Sequence, residues 1–121
     1  MVCKIDRIYN NLDERGVRVL VDRVWPRGLS KDKANLDYWL KDIAPSSELR
    51  KWFNHEPSKF EAFKEKYKQE LESGDQQEAL NKLKEIYKEN KQTLIILYGA
   101  KDEKHNQAIV LKEILDGLVF A

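Results

Sequence analysis

The stretch TLIILYGA, residues 93 to 100, is apolar almost without interruption. A strand with one wet face alternates apolar and polar residues. A run that stays apolar at successive positions has both faces covered, which is the condition of a central strand in a parallel sheet. This run therefore predicts the centre of a sheet with material on both sides. Residues 2 to 9 and 17 to 25 also read as strands, joined by the polar loop NNLDERG.

The segments between and after these runs carry helical spacing. In PSKFEAFKEKYKQEL, Phe60, Phe63, Tyr67 and Leu71 recur at three- and four-residue steps, and Ser58 with Glu61 forms a capping-box pattern. In DQQEALNKLKEIYKEN, Leu80, Leu83, Ile86 and Tyr87 share a face, with Asp75 as N-cap. EKHNQAIVLKEILDGL predicts a last helix through Ala108, Leu111, Leu115 and Leu118, with Asp102 as N-cap. Strands first and last with helices between predict an α/β fold: a small, mostly parallel sheet flanked by helices, with a long crossover joining parallel strands. A chain of 121 residues suits one compact domain over residues 1–121.

Composition narrows the function classes. The 22 basic residues nearly cancel the 21 acidic ones, so no global field favours nucleic acid or membrane, and any anion site must be local. Cys3 is the only cysteine and rules out an internal disulfide framework; its expected role is a small buried hydrophobe. No apolar run approaches the roughly 20 residues that span a bilayer. The start, MVCKIDRIYN, reads as neither signal nor transit peptide, and the expected location is the cytoplasm. The dinucleotide, P-loop, serine-hydrolase and zincin motifs do not occur, and two separated histidines without a cysteine cluster argue against zinc. No metal is expected, and the cofactor is left unassigned.

Ligands of open parallel sheets sit beyond the carboxyl ends of the strands, and two such ends here are DRVWPRG and YGAKDEKHN. Pro26 lacks an N–H and Gly28 tolerates unusual dihedrals, so the strand stops there. Arg27 between them presents a guanidinium fork suited to phosphate or carboxylate, or else a structural ion pair. Asp22 and Arg23 are strand neighbours facing opposite sides, so one of them is structural. Asp22 reads either as a general base or as a partner for Arg50 or Lys101. Trp25 either stacks on a ligand ring or caps the core, with core preferred. A third segment, SSELRKWFNHEP, carries Arg50, Trp52 and His55 and is free to close over the same edge. His55 at a helix exit is either an acid or base or a dipole-stabilised cap. Lys101, Asp102 and Asn106 surround the start of the last helix, where free N–H groups favour an anion unless Asp102 consumes them. His105 is expected in the first turn of that helix, where it either binds an anion through its N–H or lies in solvent, with solvent preferred.

With VLVDRVWPRG, SSELRKWFNH and LYGAKDEKHNQAIVLKE in the same order, the chain resembles the proteins grouped as domain of unknown function 488, in the short YeaO-like branch, over essentially its whole length. The resemblance implies an α/β fold and an active or binding site. By the same resemblance the motif positions are Asp22, Arg23, Trp25, Pro26, Arg27 and Gly28, then Leu49, Arg50, Trp52 and His55, then Lys101, Asp102, Asn106 and Ala108.

Three functional classes follow. The first is an enzyme on a small anionic substrate, clamped by Arg27, Arg50 and Lys101, with His55 as general acid or base and Asp22 or Asp102 assisting. The second is a non-catalytic module for a nucleotide or nucleic acid, with Trp25, Trp39 or Trp52 as stacking platforms; near-zero net charge weighs against nucleic acid. The third is a protein-interaction domain. Its only sign is the lysine-rich helices, which read more simply as solvated faces.

Overall fold

The computed structural model describes residues 2–10, 14–90 and 92–118. Four strands, β1 (Cys3–Arg7), β2 (Val17–Leu20), β3 (Tyr38–Trp39) and β4 (Leu94–Tyr98), form one parallel sheet in the order β1-β4-β2-β3. The apolar run is therefore central. β4 pairs along its whole length with β1, and Leu94 to Leu97 pair with Val17 to Leu20.

Alternation along β4 divides its burial between two layers. Leu94, Ile96 and Tyr98 join Val17, Val19 and Val21 in the larger core, while Ile95 and Leu97 join Leu20, Ile8 and Ala34 in a smaller one. The larger core is covered by α2 (Ser47–Phe53), α3 (Phe60–Glu70), α4 (Gly74–Glu89) and α5 (Gln107–Asp116). Phe60, Phe63, Tyr67, Leu80, Leu83, Ile86, Tyr87, Ala108, Leu111 and Leu115 are all buried in it, as their helical spacing requires. The smaller core is covered by the short α1 (Lys31–Ala34) and by Trp25, Leu29 and Leu36. Cys3 is buried, and burial pushes its thiol up to about 12.

Boundaries differ from the sequence expectation where tertiary bonds compete with local patterns. β2 ends at Leu20 rather than at residue 25: Val21 still donates to Leu97, but Asp22 and Arg23 bond elsewhere with their side chains. Pro57–Lys59 is a 3-10 turn, so α3 begins at Phe60 and Ser58 with Glu61 makes no capping box. α4 begins at Gly74, with Ser73 rather than Asp75 in the N-cap position. α5 begins at Gln107 and its N-cap is Asn106, not Asp102; Leu118 lies just past its end. The two-residue edge strand β3 and the four-residue α1 have too little periodicity to be read from sequence.

One clamp fixes the helices that border the site. Ser46 caps α2 by accepting from Leu49 N, while its own N–H and hydroxyl donate to the Glu70 carboxylate at 2.9 and 2.5 Å. Gln76 donates to the same carboxylate. These hydrogen bonds and the Arg23 charge outweigh the upward push of burial and hold the Glu70 carboxyl below its usual range. Among the described residues no helix is long and apolar enough to cross a membrane.

Candidate functional site

The carboxyl ends of β2 and β4 are joined through Asp22. Its Oδ2 accepts the Gly99 N–H at 2.8 Å, and its Oδ1 accepts from Gln107 Nε2 at 2.7 Å. Burial raises the Asp22 pKa, against the opposing effect of these two donors and of the Arg50 charge. Arg23, past the end of β2, bonds to other partners: Nη2 donates to Ala44 O at 3.0 Å and Nη1 lies 4.0 Å from Asp42.

Above this junction lies a cleft of about 180 Å³. Phe53, Phe63, Pro45 and Ala100 supply its apolar surface, and Arg50, His55, His105, Asn106 and Gln107 its polar groups. α2 brings Arg50 to the rim. The chain then turns sharply, because Asn54 and His55 both adopt left-handed backbone, with φ of 48° and 55°. Asn54 is the C-cap of α2, where asparagine adopts this region readily, whereas His55 carries strain of about 1–2 kcal/mol. That turn sets His55 against the cleft after α2 has ended.

The opposite wall is the approach to α5. Asp102 accepts from Lys104 N and His105 N, and its Oδ2 bonds His105 Nδ1 at 2.9 Å. The Lys104 N–H, with the His105 ring and N–H, holds the Asp102 carboxyl below its usual range. An ionised carboxylate only accepts, so Nδ1 carries the proton and Nε2 of a neutral ring is an acceptor. The imidazole also packs edge-on against Phe60, with centroids 5.2 Å apart. His105 is thus half-buried and precedes the helix, rather than lying in solvent within its first turn. Buried Asn106 accepts from Ala108 N and Ile109 N and donates to Asp102 O. Two of the helix donors expected to meet an anion, the Ala108 and Ile109 N–H groups, are therefore already capped.

The other motif residues lie elsewhere. Arg27 is exposed and outside the cleft; what is anchored there is its carbonyl, which accepts from Tyr9 Oη at 2.7 Å, while Gly28 takes a φ of 77°. Lys101 is exposed and does not line the cleft. Of the three cations expected to clamp an anion, only Arg50 lines the cleft. Trp25 packs with the smaller core, donates to Leu29 O at 2.6 Å and meets Trp39 edge-on at 5.3 Å, so it caps a core. Trp52 lies under the Lys59 and Lys66 ammonium groups. Sequence reasoning missed the cleft roles of Gln107, Pro45, Phe53 and Phe63. No local pattern marks those four, whereas the Asp102–His105 contact had a signal in its three-residue spacing, that of a side-chain turn onto backbone N–H groups. Among the described residues, no group of three or more His, Cys, Asp or Glu could hold a metal ion.

The fold and cleft define a small α/β domain with a mixed polar and apolar site at the carboxyl edge of a parallel sheet. The chain belongs to the domain of unknown function 488 group: a family model described as the inactive DUF488-N3 subclade matches residues 2–119. It is similar to the uncharacterised protein YeaO of Escherichia coli K12, at 43% identity over 117 residues and 96% of each chain. It is also similar to the uncharacterised protein Rv3073c of Mycobacterium tuberculosis H37Rv, at 35% identity over 115 residues, 94% of this chain and 93% of that one. No solved structure matches it.

Proposed function

We propose that the domain is a non-catalytic binding module for a small ligand that carries one anionic group on an apolar body. The observation that carries this reading is the cleft lining: one guanidinium, two imidazoles and two amides around Phe53 and Phe63. Such a set recognises and orients a ligand. The nearby carboxylates are committed, since both oxygens of Asp22 and both of Asp102 already accept hydrogen bonds. The word inactive in the description of the matching family accords with binding in place of turnover.

Thermal unfolding of wild type and Arg50→Ala against carboxylates, phosphate and mononucleotides tests the reading. A ligand of the folded state at a hundred times its Kd stabilises by about 2.7 kcal/mol. The expected result is a shift with one ligand class that is lost in Arg50→Ala. Conversion of that ligand to a product by wild type, or no shift with any class, overturns it.

A second reading, an enzyme on a small anionic substrate, is favoured by the Asp102–His105 hydrogen bond, which orients an imidazole as acid–base chemistry requires. His105→Gln separates the two: it abolishes turnover if the domain is an enzyme and only weakens affinity if it is a binder.

A further inference from the structure

The opposite, amino edge of the sheet carries another cleft, of about 760 Å³, walled by Gly16 and Arg18 at the start of β2, Asp37 before β3 and Gln92 before β4. Arg18 is 2% exposed. Its Nε donates to Ala34 O at 3.2 Å, but its enclosed Nη2 has no hydrogen-bond partner among the described residues. None of the ion pairs found among the described residues includes it. A guanidinium buried without a counter-charge is costly, and its fork is shaped for a planar oxyanion. The Asp37 carboxylate accepts the Arg18 backbone N–H at 2.8 Å but makes no ion pair with its guanidinium.

The rest of the lining narrows the ligand. Arg15 and Lys33 add positive charge, while Glu14, Asp32 and Asp37 add negative charge. Glu14 is paired with Lys4. Asp32 stands exposed in the first turn of α1 and joins none of the ion pairs found among the described residues. A phosphate dianion entering here would meet these carboxylates, whereas a molecule with one carboxylate and one ammonium would satisfy both signs.

We propose that the amino edge binds a small zwitterion, an amino acid or short peptide, with its carboxylate on Arg18 and its ammonium on Asp32. This site is separate from the Arg50 cleft and does not rest on the function proposed for it.

Titration with glycylglycine, followed by 15N-edited NMR and thermal unfolding, tests the assignment against acetate, ethylammonium and inorganic phosphate as comparators. The expected result is saturable shifts at the Gly16, Arg18 and Ala34 amides that persist in Arg50→Ala, are lost in Arg18→Lys and weaken about tenfold in Asp32→Asn. Asp32 is exposed, so its variant keeps the test valid if Arg18→Lys fails to fold. Absence of saturable shifts in wild type overturns the site. Phosphate or acetate binding as tightly as the dipeptide, with Asp32→Asn indifferent, overturns the zwitterion assignment.

Discussion

A Cβ added to Gly99 would lie 2.8 Å from Asp22 Oδ2, the same oxygen that accepts the Gly99 N–H. The strand exit of β4 therefore has room for the Asp22 carboxylate, just past β2, only because residue 99 has no side chain. Gly99→Ala forces Asp22 aside and costs about 1–3 kcal/mol. Asp22→Ala leaves the Gly99 N–H and the Gln107 amide without their acceptor, at a similar cost of about 1–3 kcal/mol. Urea unfolding of the two single variants and the double variant measures both, and the double should cost less than the sum because one interaction is removed twice.

Acid stability carries two opposed contributions. Glu70, held below its usual range, supplies stability that is present above the ordinary value of 4.5 and lost as pH falls through the folded value. Asp22, raised chiefly by burial from 3.8, has the reverse sign: its contribution is fully present below 3.8 and lost as pH rises through the folded value. Unfolding midpoints measured against pH should thus show a shallower acid loss in Glu70→Gln and a steeper one in Asp22→Asn, each relative to wild type.

Arg50 and Arg27 separate binding from loop structure. Arg50→Ala should weaken a cleft ligand at least about tenfold, the worth of one hydrogen bond to a charged group. Arg27→Ala should leave affinity unchanged, since that side chain lies outside the cleft. Both are exposed, and both variants should keep stability within about 0.5 kcal/mol of wild type. Calorimetric titration checks the first pair of outcomes and urea unfolding the second.

His55 is strained where it lines the cleft. Its φ of 55° suits glycine, so His55→Gly should be more stable than His55→Ala by about 1 kcal/mol, while both lose the same ligand affinity. Equal stabilities would mean that the turn is held by its neighbours and not by the backbone preference of residue 55.

Local composition determined the parts of this protein that need only near neighbours. The unbroken apolar run at 94 to 98 could be satisfied only at the centre of a sheet, and the spacing of Phe60, Phe63 and Tyr67 only by a helix laid on it. That Asp22, Arg50 and Asn106 lie near the carboxyl edge was also legible, through the order of the elements, but other residues of their motifs, Arg27 and Lys101 among them, lie outside the cleft. Tertiary structure alone decided which side chains meet there. Asp22 finds its partners 77 and 85 residues away, at Gly99 and Gln107, and Ser46 finds Glu70 24 residues away. No local periodicity encodes such pairings, because the direction of a polar side chain past a strand end is set by whichever buried donor or acceptor would otherwise go unpaired. By the same logic Asn106 took the cap expected of Asp102, and Arg27 was left in solvent while Arg50 reached the cleft.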